Sequence, residues 1–128
     1  MKIKNILLID DSDIDNFINK SVLVKADIAE NILTKTSAKE ALSYLSDENN
    51  VFPDIIFLDI RMPEMDGFEF LEECVNFPDH LKSKCTVFML SSSIDPNDAE
   101  RAKQHNVVKK YLTKPLTLNL IDAVLEHI

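Results

Sequence analysis

Ile55-Ile56-Phe57-Leu58-Asp59, continued by Ile60-Arg61-Met62-Pro63-Glu64-Met65-Asp66-Gly67, is the stretch whose reading decides the fold. Its apolar run has no polar alternation, which suits a strand buried on both faces, as in a parallel sheet covered by helices. Ile6-Leu7-Leu8-Ile9 and Val87-Phe88-Met89-Leu90 have the same character. Asn31 to Lys35 and Lys110 to Thr113 mix polar with apolar residues and read as edge strands.

Between these runs the period becomes helical. Ala38, Ala41, Leu42 and Leu45 follow i, i+3, i+4, i+7, and Ser37 with Glu40 reads as a capping box. Ile14, Phe17, Ile18 and Val22 mark the first helix, and Phe68, Leu71, Cys74 and Val75 the third. Asp95-Pro96 opens a fourth helix with an N-cap and an N1 proline. Its inner face is mainly Ala99 and Ala102, so it should be the least firmly anchored. Thr117 reads as the N-cap of the last helix, patterned by Leu120, Ile121, Val124, Leu125 and Ile128. Five β-α repeats without a linker predict one α/β domain over 1–128, a doubly wound (βα)5 parallel sheet. The first, third and fourth strands are apolar enough to be central. The flavodoxin-like strand order 2-1-3-4-5 satisfies this, and it puts the ligand crevice beyond the carboxyl ends of the first and third strands.

The totals narrow the function. At 128 residues the chain fits one domain, so output activity is expected from a partner or from the domain's own surface. A formal charge of −8 argues against nucleic acid as partner. No stretch is long enough for a signal h-region or a membrane span, so a cytoplasmic protein is expected. Cys74 and Cys85 are isolated and read as reduced core thiols. His80, His105 and His127 are dispersed and read as surface residues without zinc.

Asp10-Asp11, Asp59, Ser91 and Lys114-Pro115 all follow predicted strands, so they meet at one edge of the sheet. Adjacent strands lie about 4.8 Å apart, which brings the acids within reach of one shared ligand. Clustered carboxylates repel unless a cation joins them, and an oxygen-only donor set favours Mg²⁺. Lys114 adds a fixed positive charge, and the Ser91 hydroxyl can bond a phosphoryl oxygen. Each residue alone is an ordinary cap or turn former. Their coincidence at one edge is what carries the reading.

Leu8-Ile9-Asp10-Asp11, Leu58 to Gly67, Met89-Leu90-Ser91-Ser92 and Tyr111-Leu112-Thr113-Lys114-Pro115 resemble the four signature blocks of response-regulator receiver domains, in order and spacing. The resemblance implies that Asp59 accepts a phosphoryl group from a sensor histidine kinase or a histidine phosphotransfer protein. It implies Mg²⁺ held by Asp10, Asp11, Asp59 and the Arg61 backbone carbonyl, with Ser91 and Lys114 touching the phosphoryl group. Tyr111 would be the aromatic that switches with Ser91, and Lys114-Pro115 a cis peptide. It further implies output through the fourth helix, fifth strand and last helix to a downstream protein, and leaves homodimerisation open. Such a domain is not an enzyme beyond its own phosphorylation and dephosphorylation. Gly67 is the only glycine, and Asn106 stands where many relatives have one; both are expected at demanding turns.

Two competitors remain. Asp11-Ser12-Asp13 offers the D-x-D of a haloacid-dehalogenase-type phosphatase, but no acidic pair follows Lys114 as that chemistry needs. An unphosphorylated interaction module is the other alternative, and the complete set of reactive side chains speaks against it.

Overall fold

A computed structural model of the chain describes residues 3–92 and 95–126; His127 and Ile128 lie outside them. The strands are β1 (Ile3–Ile9), β2 (Ala29–Lys35), β3 (Ile55–Asp59), β4 (Thr86–Ser91) and β5 (Val108–Thr113). The helices are α1 (Asp13–Ala26), α2 (Ala38–Ser46), α3 (Gly67–Cys74), a single turn α4 (Asp79–Lys82), α5 (Pro96–Lys103) and α6 (Leu118–Leu125). All pairings are parallel, in the order β2-β1-β3-β4-β5. This is the doubly wound α/β sheet that the apolar runs predict. The turn α4 has no signal in the periodicity, so the fourth predicted helix is α5 and the last is α6.

Alternation along the central strands builds two cores. Leu7, Ile9, Ile56, Leu58, Val87 and Met89 face α2, α3 and α5. Ile6, Leu8, Ile55, Phe57, Phe88 and Leu90 face α1 and α6. Successive side chains on a strand point to opposite faces, so an unbroken apolar run serves both layers. Every residue of β3 is buried, whereas the edge strands β2 and β5 carry exposed positions.

Helix ends follow their capping chemistry. Ser12, Ser37, Asp66, Asp95 and Thr117 each accept a backbone N–H from the first turn they precede. The reciprocal capping box lies at Asp66 and Glu69. At Ser37 only half of one forms: the Ser37 hydroxyl takes the Glu40 N–H, but the Glu40 carboxylate takes the N–H of Thr36.

The first helix departs from expectation. Ile14 and Phe17 are 71% and 72% exposed, and Ile18 is 39% exposed. The buried positions of α1 are Asn16, Asn19 and Leu23. Val75, too, is exposed, being the C-cap of α3, while Phe70 is buried in its place. α5 buries only Asp98 and Ala102, in line with its thin apolar face.

Cys74 and Cys85 are free thiols, half-buried and buried. Burial pushes both up to about 12, with lesser charge effects from neighbours.

Gly67 is required for space and not for an unusual backbone. It has no positive φ; among the described residues Asp27 (φ 53°) and Glu64 (φ 68°) do, and Asn106 does not. A Cβ at Gly67 would lie 2.6 Å from the Asp59 carbonyl oxygen and 3.1 Å from Ile60 Cα. Both neighbours are backbone, and the Gly67 N–H donates to the Ile60 carbonyl at 2.9 Å. The loop after β3 therefore folds back onto the strand end. Gly67→Ala is expected to destabilise the fold by about 1–3 kcal/mol, as overpacking does. Urea unfolding of the variant against wild type measures this.

Candidate functional site

The register aligns the carboxyl ends of the central strands. Asp59 pairs with Leu90, one residue before Ser91, and Ser91 pairs with Thr113, one residue before Lys114. The Lys114 N–H donates to the Ser91 carbonyl at 2.8 Å, which locks the end of β4 to the end of β5. On the other side, Ile9 pairs with Leu58, so Asp10 and Asp59 leave adjacent strands at the same level.

Carboxylate oxygens of Asp10, Asp11 and Asp59 lie within 4.8 Å of one another. It is the one group of three or more acids, histidines or cysteines so arranged among the described residues. Asp10 and Asp59 are buried and Asp11 is exposed. The cluster is an oxygen donor set open to solvent on one side, which fits a hard divalent cation.

Lys114 closes the site. Its Nζ lies 2.9 Å from Asp10 Oδ2, 2.8 Å from Asp15 Oδ2 and 3.4 Å from Asp59 Oδ1. The Lys114-Pro115 peptide is cis. Burial lowers the Lys114 pKa, but the hydrogen bonds it donates to Asp15 and Asp10 and the Asp59 charge outweigh this and hold the ammonium above its ordinary range. Burial and the Asp10 charge push the Asp59 carboxyl up to about 6, against Lys114 and with a further push from Asp11. Asp10 is also raised, chiefly by burial and in opposition to the Ser12 N–H and Lys114. The ammonium thus offsets the repulsion among the acids only in part.

Ser91 is buried at the end of β4, and Tyr111 is half-buried on β5 against the core that faces α5. Arg61 lies in the loop two residues beyond Asp59. Its guanidinium forms an ion pair with Asp98 on α5 and lies 3.9 Å from Asp95, the α5 N-cap.

Several of these partners were not foreseen from sequence. Asp15 binds Lys114 from the first turn of α1. Asn16 Nδ2 donates to the carbonyls of Asp10 and Lys35, and Asn19 Oδ1 accepts the Leu116 N–H. The inward face of α1 is therefore polar because it satisfies backbone groups at the ends of β1, β2 and β5. The available signal was Asp15, Asn16 and Asn19 at i, i+1, i+4, beginning four residues after Asp11. The D-x-D alternative finds Ser12 capping α1 and Asp13 exposed in its first turn.

The family model of the response regulator receiver domain matches residues 6–126. The chain belongs to the receiver domain family. Response regulator Rcp1 of Synechocystis is 32% identical to it, over 98% of this chain and 86% of that protein. The plant two-component response regulator ARR10 of Arabidopsis thaliana is 31% identical over 76% of this chain, which amounts to 16% of that protein. A two-component response regulator of Cytophaga hutchinsonii, a solved structure, superposes with a TM-score of 0.92 at 35% identity, covering 99% of this chain and 97% of that one. No described helix of the receiver domain is long and apolar enough to cross a membrane.

The raised Asp59 pKa has a signed consequence. The folded state holds the Asp59 proton up to pH about 6, whereas the unfolded chain loses it near 3.8. Ionising Asp59 therefore costs stability progressively across that window and fully above it. Asp59→Asn should raise the melting temperature of the metal-free protein at pH 7.5, and this advantage should shrink toward pH 4. Thermal melts in EDTA across that range measure it; an advantage that does not vary with pH would count against a buried, ionised Asp59.

Proposed function

We propose that this receiver domain accepts a phosphoryl group on Asp59 and that the modification changes which protein it binds. The observation that carries this reading is Asp59 held between two further carboxylates and the Lys114 ammonium, 3.4 Å from its Oδ1, at the open end of the sheet. With a pKa near 6, Asp59 is mainly ionised at neutral pH and so nucleophilic.

A carboxylate oxygen of Asp59 attacks phosphorus of a phosphohistidine on a kinase or phosphotransfer protein. The P–O bond forms as the P–N bond breaks, and its electron pair returns to the imidazole nitrogen. Asp10, Asp11, Asp59 and the Arg61 carbonyl would hold Mg²⁺, which when bound neutralises negative charge on the phosphoryl oxygens. Lys114 and the Ser91 hydroxyl stabilise the transferred group from the other side. Water later hydrolyses the acyl phosphate at the same site, so the domain catalyses only its own gain and loss of phosphate.

The donor has a surface to dock on. Ile14, Phe17 and Ile18 form an exposed apolar ridge on α1, beginning beside the acidic mouth. Output is assigned to the face of α5, β5 and α6. Arg61 joins the phosphoacceptor loop to α5 through Asp98, and α5 has little apolar anchorage, so a gap of a few kcal/mol suffices to shift its arrangement. Such a cycle belongs in the cytoplasm, where kinase phosphohistidines are made.

Incubation with Mg²⁺ and acetyl phosphate, read by intact mass, should give one phosphoryl adduct in wild type and none in Asp59→Asn. Turnover without an adduct would favour a phosphatase, and no reaction an unphosphorylated interaction module. Phe17→Glu should keep the acetyl phosphate reaction while slowing transfer from a phosphohistidine protein about tenfold or more, as loss of an interface anchor does.

Amide hydrogen exchange with and without beryllofluoride, a phosphoryl mimic, should change over α5 and β5 and little in α2. Changes confined to α2 and α3 would remove the assigned output face.

A further inference from the structure

A lysine ammonium has three N–H donors and no acceptor. In Lys114 two of them are taken at hydrogen-bond distance, by Asp15 Oδ2 at 2.8 Å and Asp10 Oδ2 at 2.9 Å. The third partner, Asp59 Oδ1, lies farther off at 3.4 Å. Asp15 is thus the shortest contact of the ammonium, yet it stands outside the group of carboxylates that could share a cation.

Asp15 is itself well placed. Its N–H donates to the Ser12 hydroxyl that caps α1, which fixes its backbone. One turn later Asn19 accepts the Leu116 N–H at 2.9 Å. Asp15 and Asn19 thereby grip the chain on both sides of Pro115, one through the Lys114 side chain and one through the backbone. A cavity of about 220 Å³, lined by Asp15, Ile18, Asn19, Ser92, Lys114 and Pro115, lies beside the ammonium. It is room into which an unheld lysine side chain could swing.

We propose that Asp15 is a positioning residue for Lys114: together with Asp10 it holds two of the three ammonium donors, so that the remaining one is aimed at Asp59 and at the phosphoryl group carried there. The inference rests on the phosphoacceptor reading and adds a residue to it. Asp10 and Asp59 are shared between the lysine and any cation bound by the acids. Asp15 is not shared, so it alone remains a dedicated counter-charge when the acids turn to a cation. The alternative for an acid in a first helical turn is a favourable interaction with the helix dipole, typically weaker than a part-buried charged hydrogen bond such as this one. That role would not depend on Lys114.

This dependence is the test. Beryllofluoride binding in the presence of Mg²⁺, followed by fluorine NMR or calorimetry, is compared for wild type, Asp15→Asn, Lys114→Ala and the double variant. Asp15→Asn is expected to weaken binding about tenfold, the loss typical of one charge-assisted hydrogen bond. Asp15→Glu should recover part of it, and Asp15→Asn should add nothing in the Lys114→Ala background. Asp15→Ser gives the same comparison should the amide disturb the helix start. Wild-type affinity in Asp15→Asn, or an equal loss with and without Lys114, overturns the inference while leaving the phosphoacceptor reading intact. A wild type that binds no beryllofluoride removes both.

Discussion

The repulsion among three carboxylates at the carboxyl end of one sheet is the constraint on which the rest of this molecule turns. Asp10 and Asp59 are buried, Asp11 stands beside them, and Lys114 is the only cation in contact with them among the described residues. A carboxyl held at about 6 in place of 3.8 records its burial first and the charges of Asp10 and Asp11 second, against which the ammonium works only in part. Natural folds accept such cost where the chemistry needs it. The surrounding devices all act to stop the cluster from relaxing. Gly67 lets the following loop close over the Asp59 carbonyl, the β4 and β5 ends are joined at Ser91 and Lys114, and α1 supplies amides to the strand-end carbonyls.

Much of this was legible in the sequence, for identifiable reasons. Ile55 to Leu58 and its two counterparts could only be double-sided strands, and a polar residue ending each run had to lie at one sheet edge. That logic located Asp10, Asp11, Asp59 and Ser91 without reference to tertiary contacts, and the edge strand ending at Thr113 located Lys114 in the same way. It failed on α1, where Ile14, Phe17 and Ile18 have the spacing of a buried face and are exposed. Periodicity assumes that apolar surface decides orientation. Here the backbone groups at three strand ends had to be satisfied, and Asn16 and Asn19 turned inward to do it. One amide oxygen remains unanswered, since Asn16 Oδ1 is buried without a hydrogen-bond partner among the described residues. Asp15 was missed because an acid in a first helical turn has an ordinary explanation. Asp98 was missed because its partner, Arg61, is 37 residues away.

The Arg61 to Asp98 pair shows how a site and a surface can be coupled through one side chain. Arg61 belongs to the loop that follows Asp59, while Asp98 is the buried charged residue of a helix with few apolar contacts. Elsewhere α5 is held by Arg101, which lies over the Phe68 ring at 4.3 Å and 4.0 Å from Glu72. Its attachment is thus largely electrostatic and directional. Such an attachment depends on the direction of a few side chains, unlike the close packing of Phe57 on Phe88 across the central strands.

The two thiols lead to a practical matter. Cys74 and Cys85 are held near 12, so on the order of one thiol in 100,000 is ionised at pH 7, and only the ionised form reacts readily with a maleimide or an oxidised dye. A cysteine introduced at an exposed position on α1 or α6 would ionise at its ordinary pKa and react far faster. Fluorophores or spin labels can therefore be attached to chosen helices of the otherwise native chain. The native sulfurs can stay in the core, where replacing them would disturb the packing beneath α3.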